Sequence, residues 1–383
     1  MSKKLFSFLV FLLLLTLIAC QSQGTTQEEP TESAAEASPT EETGAGEEVE
    51  APADNGPSDY EGQLIISVWG GTTEEWFREQ VEPLFTELYP NVEVVYDVGG
   101  MSARYNKLLA QKDSPEIDLF VSTSESAISA AQEGLLVPIN RDNIPNMDNL
   151  FDWALPVPDY GAAYSAIAYG LGYNPDFFGD DPPTSWNDLW RPEVQGKIAV
   201  PAIGHSVMPE FIVQAAELNG GGIDNVDPGF EYLAELDPAA QTFFYTDWNA
   251  QFEAGDIVLA TEFDYYVNAM AEGGSNIVFL IPEEGAFGST QHLTVAAGTE
   301  NQEMVEAFIN LALSPEVQQS VANDLLNAPA RQDVEVSPEI ADTLAVAGET
   351  LDQVVWFDPA LSVENRPAWT ERMNEIVAPA WGQ

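Results

Sequence analysis

The chain is nearly devoid of cysteine, histidine and positive charge, and each shortage removes a class of function. One cysteine among 383 residues, Cys20, leaves no partner for a disulfide within the chain. Twelve Lys and Arg stand against 63 Asp and Glu, a formal net charge of −51. Such a chain has no basic patch to meet phosphate, which excludes nucleic acid as a partner. His205 and His292 are the only histidines. No dinucleotide glycine fingerprint, phosphate-loop lysine, metalloprotease helix or nucleophile elbow is present. Ser206 adjoins His205, but neighbours in sequence do not make a triad. No spacing of the histidines and acids points to a metal. Neither catalysis nor a cofactor is therefore expected. Beyond residue 19 no apolar run approaches 18 residues, so no later membrane span is expected.

What is present begins at the N-terminus. Two lysines in Met1–Lys4 precede an apolar Leu5–Ile18, and small Ala19 stands before Cys20. The pattern is that of a secretory signal with a bacterial lipoprotein cleavage site. Residues 1–19 are expected to be removed, leaving Cys20 as a lipidated first residue. The mature chain is then anchored at the outer face of the cytoplasmic membrane or in the periplasm. Residues 20–61 form an acidic tether: from Gln21 to Tyr60 there are eleven acids and no Lys or Arg. So few apolar side chains cannot offset the cost of ordering a backbone, so a disordered spacer is expected.

Residues 62–383 carry aromatic and aliphatic side chains in regular runs. About 320 residues are enough to bury large cores in one or two domains. Leu64–Val68 reads as a buried strand that passes through Trp69-Gly70-Gly71 into a helix, where Thr72 and Glu75 have capping-box spacing. Trp76, Phe77, Val81, Leu84, Phe85 and Leu88 recur at helical period. Strands at 92–96 and 117–121 alternate with helices at 102–111 and 125–132. The same alternation resumes from Lys197 to Leu313, and a patterned helix over 364–377 ends the body. This is an α/β chain with a mostly parallel sheet covered on both faces. Its dispersed acids predict a soluble surface suited to a salt-rich habitat, with sequestration of cations as the weaker alternative.

Ordered segments along the body then resemble a known family. They are Trp69-Gly70, Tyr105-Asn106-Lys107-Leu108-Leu109, and Asp118-Leu119-Phe120-Val121-Ser122-Thr123. Further on stand Pro183-Thr184-Ser185-Trp186-Asn187-Asp188-Leu189-Trp190, Gln195-Gly196-Lys197-Ile198-Ala199 and Asn219-Gly220-Gly221. Ile281-Pro282-Glu283-Glu284-Gly285 and Val363-Glu364-Asn365-Arg366-Pro367-Ala368-Trp369 complete the set. Together they resemble the extracellular solute-binding lipoproteins of ABC importers, in the branch that includes spermidine/putrescine-binding proteins. The resemblance implies a two-lobe, periplasmic-binding-protein-like fold of type II with a hinge and an interlobe cleft. Lobe one is expected at 62–165 plus about 290–330, lobe two at 166–289, and C-terminal helices at 331–383. It implies a monomer that delivers a small-molecule solute to a membrane permease. A surface sensory or partner-binding lipoprotein on the same fold is the alternative.

Ligand contacts are expected from loops that follow strands: Trp69, Gly70, Thr72, Ser122, Thr123 and Ser124 from lobe one. Trp69 offers a flat apolar wall beside glycines that permit close backbone approach. Ser122 and Thr123 offer hydroxyls, or else simply cap a helix. Lobe two is expected to supply Ser206, Glu210, Phe263, Asp264 and Tyr265. Phe263 or Tyr265 would stack on a cation, and Asp264 would pair an amine or cap its helix. Tyr160 and Tyr164 precede the first crossing, and His292 is placed at a strand start. The family's polyamine binders tend to carry an acid where this chain reads Gly288-Ser289-Thr290-Gln291-His292. A terminal ammonium would miss that partner, so another amine-bearing or small polar solute fits equally well.

Overall fold

The apolar stretch around Leu64 needs cover on both faces, and neighbouring β-α units supply it. The computed structural model describes residues 60–382 except Pro158, Phe244 and Asp342. The expected signal, Cys20 and nearly all of the tether lie outside the described residues. From Gly62 the chain runs through β1 (Gly62–Val68), α1 (Thr72–Trp76), α2 (Glu82–Leu88), β2 (Val92–Val98), α3 (Met101–Ala110), β3 (Leu119–Thr123) and α4 (Ser124–Gln132). β1 lies between β2 and β3, parallel to both. Thr72 does not form the capping box its spacing predicts. The helix starts one residue earlier, with Gly71 as N-cap at φ 76° and no side-chain cap. That positive φ suits glycine, and it places Thr72 in the first turn.

The next strand, β4 (Gly161–Tyr173), is the longest and was not legible in the pattern. Twelve of its thirteen residues are buried, and they are mostly Ala, Gly and Tyr. Buried on both faces, it shows no polar-apolar alternation. The chain then crosses into a second lobe. There α5 (Pro175–Phe178), β5 (Ile198–Pro201), α6 (Met208–Leu218), α7 (Asp227–Leu233), β6 (Pro238–Thr242), α8 (Asn249–Ala254), β7 (Leu259–Phe263), α9 (Asp264–Glu272) and β8 (Val278–Leu280) repeat the alternation. β9 (Ala286–Val295) returns antiparallel to β4. His292 therefore stands deep within a strand and not at its start, because the turn at Gly285 (φ 100°) releases the chain into β9 six residues earlier.

The remaining elements are α10 (Gln302–Ala312), α11 (Pro315–Asp324), β10 (Ala328–Pro329), α12 (Pro338–Ala341), β11 (Val354–Val355), α13 (Pro359–Arg372) and α14 (Ala378–Ala380). The main path of the sheet runs β2-β1-β3-β9-β4-β7-β5-β6. Two principal cores lie along it. Ile66, Phe77, Phe85, Tyr164 and Phe308 belong to the first, Trp186, Ile198, Phe211, Leu259 and Trp369 to the second. Trp186 shows how the second is fixed. It is fully buried, stacks on Phe287 at 4.6 Å, and donates its indole N–H to Gly285 O at 2.7 Å. Burying such a ring contributes about 2–3 kcal/mol.

Candidate ligand cleft

Strand register locates the cleft. β3 pairs with β9 from Thr123–Gln291 to Leu119–Val295, whereas β7 pairs with β4 from Tyr169–Phe263 to Tyr173–Leu259. Between these ladders, Ile167–Ser289 and Ala168–Gly288 are paired to each other across β4 and β9. The carboxyl ends of β1 and β3 approach this short crossing from one lobe, and those of β5 and β7 from the other. Open α/β sheets bind ligands beyond such strand ends.

On the lobe-one side the strand ends are gathered by a residue the sequence did not single out. Arg104 of α3 is 2% exposed, and its guanidinium lies 4.5 Å from the centre of the Trp69 ring. Its Nη1 donates to Ser67 O at 3.1 Å and Val121 O at 2.7 Å, and its Nε to Gly99 O at 2.8 Å. Burial lowers its pKa to about 10, so it stays charged at neutral pH. Gly70 leaves this rim open, since a Cβ there would stand 2.8 Å from Cγ1 of the exposed Val98. Thr123 is the N-cap of α4, its hydroxyl accepting from the Ser126 amide, so the capping alternative holds for this residue. Ser122 is fully buried and its Oγ has no hydrogen-bond partner.

On the lobe-two side, aromatic rings cluster at the ends of β5 and β7. Tyr169 and Phe263 meet edge-on at 4.9 Å, and His205 lies 5.8 Å from Tyr169 and 6.1 Å from Phe243. Tyr265 stands 6.1 Å from Phe263. His205 Nδ1 accepts from the Val207 amide at 3.2 Å, and burial, then the charge of Arg366, lowers its pKa to about 4. It is a neutral ring. Ser206 is exposed beside it, and its carbonyl accepts from Arg366 Nη2 at 2.9 Å.

Two carboxylates stand behind these rings. Glu262 accepts from the Phe263 amide at 2.9 Å and from the Trp248 indole at 3.2 Å. Asp264 accepts from the amides of Ala168, Tyr265 and Ala345 at 3.2, 2.9 and 3.2 Å. Burial pushes each carboxyl up to about 7, against the pull of those donors. Asp264 thus ties the start of α9 to β4 and to the 344–347 segment. Glu210 on α6 accepts from Ser362 Oγ on α13 at 2.6 Å, while its Oε2 has no partner. Burial, then the charge of Glu125 on α4, raises it to about 7. A lobe-one charge therefore acts on a lobe-two acid, and α13 packs on both α4 and α6.

The expected residues consequently fall at different depths. Trp69, Gly70, Thr72, Thr123, Ser206, Phe263 and Tyr265 are at least partly exposed near strand ends. Ser122, Ser124, Glu210, Asp264 and His292 are buried behind them. Tyr164 stacks on Trp76 at 5.4 Å within the lobe-one core, and its hydroxyl donates to Gln291 Oε1 at 2.5 Å. Tyr160 is half-buried against the core that α4 covers. His292 hydrogen-bonds Thr290 through Nε2 at 2.9 Å, and burial lowers its pKa to about 3. Among the described residues, no group of three or more His, Cys, Asp or Glu is placed to hold a metal.

Comparison with known proteins agrees with the two-lobe α/β fold. A family model described as bacterial extracellular solute-binding protein matches residues 85–348. The spermidine/putrescine-binding periplasmic protein of Escherichia coli (strain K12) is 25% identical over 297 residues, covering 73% of this chain and 84% of that one. A Salmonella typhimurium (strain LT2) periplasmic protein, provisionally named for binding 2-aminoethylphosphonate, is 27% identical over 304 residues, covering 75% and 84%. A crystal structure of an ABC transporter from Clostridium perfringens ATCC 13124 superposes with a TM-score of 0.72 at 28% identity, over 82% of this chain and 99% of that one.

Proposed function

We propose a cargo and a route for this chain, which belongs to the bacterial extracellular solute-binding protein family. Its role is that of the solute-binding component of an ABC importer, holding a small organic ligand between two lobes. The cargo is an amine-bearing solute, and a membrane permease receives it from the closed state. The observation that carries the amine is the ring cluster of Tyr169, His205, Phe243, Phe263 and Tyr265 at the ends of β5 and β7. Aromatic faces attract a cation by about 0.5–2 kcal/mol each, more as water leaves. A neutral His205 does not oppose an ammonium there. Closure shifts the population toward a state in which both lobes touch the solute.

The route begins with export, lipidation of Cys20 and a spacer over residues 20–61. Mass spectrometry of the membrane-extracted chain checks this: an N-terminal peptide carrying lipid on Cys20 supports it, and an unmodified Cys20 removes the anchor. The cargo is tested by thermal unfolding of the chain in high salt against polyamines, amino acids, quaternary amines, sugars and organic anions. A ligand that binds only the folded state raises its unfolding temperature by mass action. A rise confined to amines is expected. A rise only with sugars or simple anions would reassign the cargo, and no rise with any solute would favour a sensory or partner-binding lipoprotein.

A further inference from the structure

The lobe-one side of the cleft holds a buried cation, Arg104, that forms no ion pair among the described residues. In a chain with 63 acids and twelve basic residues, Arg104 directs its described hydrogen bonds only to backbone carbonyls. Arg78, Lys107, Arg191, Arg331 and Arg372 each form ion pairs instead, and Lys112 and Arg366, which also bond backbone carbonyls, are not buried as Arg104 is. One guanidinium nitrogen of Arg104, Nη2, is buried with no hydrogen-bond partner. The charge of Asp97 acts on Arg104 from a distance, but Nη2 itself still lacks an acceptor, and a buried charged donor without one is costly.

Two further buried polar atoms lack partners close by in the fold. Arg104 Nη1 is bound to the carbonyl of Val121, and the next residue is Ser122, whose Oγ is unpartnered. Ser122 faces His292 across the β3–β9 ladder, and His292 Nδ1 is unpartnered too. A guanidinium N–H and a hydroxyl are donors suited to one anionic group, and the guanidinium carbon lies 4.5 Å from the centre of the Trp69 ring and 5.5 Å from that of Phe120. Planar guanidinium is the side chain best matched to carboxylate or phosphonate oxygens.

We propose that Arg104, with Ser122, seats an anionic group of the cargo at the carboxyl ends of β1 and β3. The cargo is then a zwitterion, with its amine at the aromatic cluster of lobe two and a carboxylate or phosphonate at lobe one. This rests on the solute-binding reading above and narrows it, since a polyamine brings a second ammonium toward a buried arginine.

The test is calorimetric titration of the full chain in high salt with three probes: putrescine, 4-aminobutyrate and 2-aminoethylphosphonate. The first two share a four-carbon chain and differ in one end group. At least one zwitterion is expected to bind about tenfold or more tightly than putrescine, the value of one charge-assisted contact. Which zwitterion wins separates carboxylate from phosphonate. Arg104→Lys is expected to lower that affinity about tenfold, because a point charge replaces the planar fork. Tighter binding of putrescine, or an Arg104→Lys affinity equal to the parent's, overturns the seat and leaves the importer role standing. Silence with all three probes while another solute binds also overturns it, and silence with every solute overturns the cleft reading itself. Where Arg104→Lys does not fold, Ser122→Ala carries the test, with about a threefold loss expected and an unchanged zwitterion affinity overturning the seat.

Discussion

The hydroxyl of Ser362 on α13 donates to Glu210 Oε1 on α6 at 2.6 Å, and the same helix packs against α4 of the opposite lobe. Helix α13 is therefore fastened to one lobe by a buried carboxyl and rests on the other by packing. The ionisation of Glu210 bears directly on that arrangement.

Burial, then Glu125, raises Glu210 to about 7, above its ordinary value, so the folded state holds a proton that the unfolded state releases. The contribution is full below the unfolded pKa and is lost as pH rises through about 7. Glu262 and Asp264 are raised for the same reason and carry the same sign. The two buried histidines act oppositely, with folded pKa values lowered to about 4 and 3, so their cost appears only as pH falls below the ordinary histidine range. Stability should therefore fall as pH rises from about 4.5 to about 7 and change little above that. Glu210→Gln keeps the Ser362 acceptor without the charge. It should stabilise the chain by about 1–2 kcal/mol at pH 8 and change it little at pH 5. Denaturant melts at both pH values check this, and an equal effect at the two would remove the titration.

Asp264→Ala should destabilise the body by about 2–4 kcal/mol, because the buried amides of Ala168 and Ala345 lose their acceptor. Asp264→Asn should recover only part of that loss, since an amide offers one acceptor oxygen in place of two. Solute affinity measured on the folded fraction separates this from direct contact. A loss of affinity without a loss of stability would place Asp264 on the ligand, as its position after β7 first suggests.

The α/β alternation was legible because β1 and β2 lead into Gly70-Gly71 and Gly99-Gly100 and the helices keep a 3.6-residue period, whereas the division into two lobes came from the family resemblance. Trp69 and Phe263 stand at strand ends that could be read locally, since the change of pattern marks each end. β4 was not legible, because small residues buried on both faces carry no alternation. The role of Arg104 was hidden for another reason. It depends on carbonyls of Ser67, Gly99 and Val121, which only the folded sheet brings together. Local pattern holds no trace of a contact made across three chain segments.

Gly288 lies in the crossing between the lobes, where a Cβ would stand 2.5 Å from the Trp356 ring and 2.8 Å from Val354 Cγ1. Trp356 in turn stacks on Trp153 at 5.1 Å with the ring planes 6° apart. Gly288→Ala should therefore cost about 1–3 kcal/mol of stability, the range for overpacking a fitted site. Trp356→Ala in the same chain should relieve much of that cost, so the two changes should not add. A double-mutant cycle by chemical denaturation measures the coupling, and strict additivity would mean the ring does not press on this position.

Residues 61–383 carry 52 acids against ten basic side chains, and the described basic groups that form ion pairs mostly do so at the surface. Exposed pairs contribute little, so they do not offset the repulsion among the remaining acids. Salt weakens that repulsion within a Debye length, about 10 Å at 0.1 M and about 3 Å at 1 M. It also strengthens burial when the anion is excluded from the surface, so the two effects must be separated. Potassium chloride and potassium sulfate at matched ionic strength do this, because screening is common to both and exclusion is greater for sulfate. The unfolding temperature should rise by at least about 5 °C between 0.1 and 2 M chloride, with most of the rise below 1 M where screening changes fastest. A flat profile in chloride with a rise only in sulfate would assign any stabilisation to exclusion and remove charge repulsion as a determinant of this body's stability.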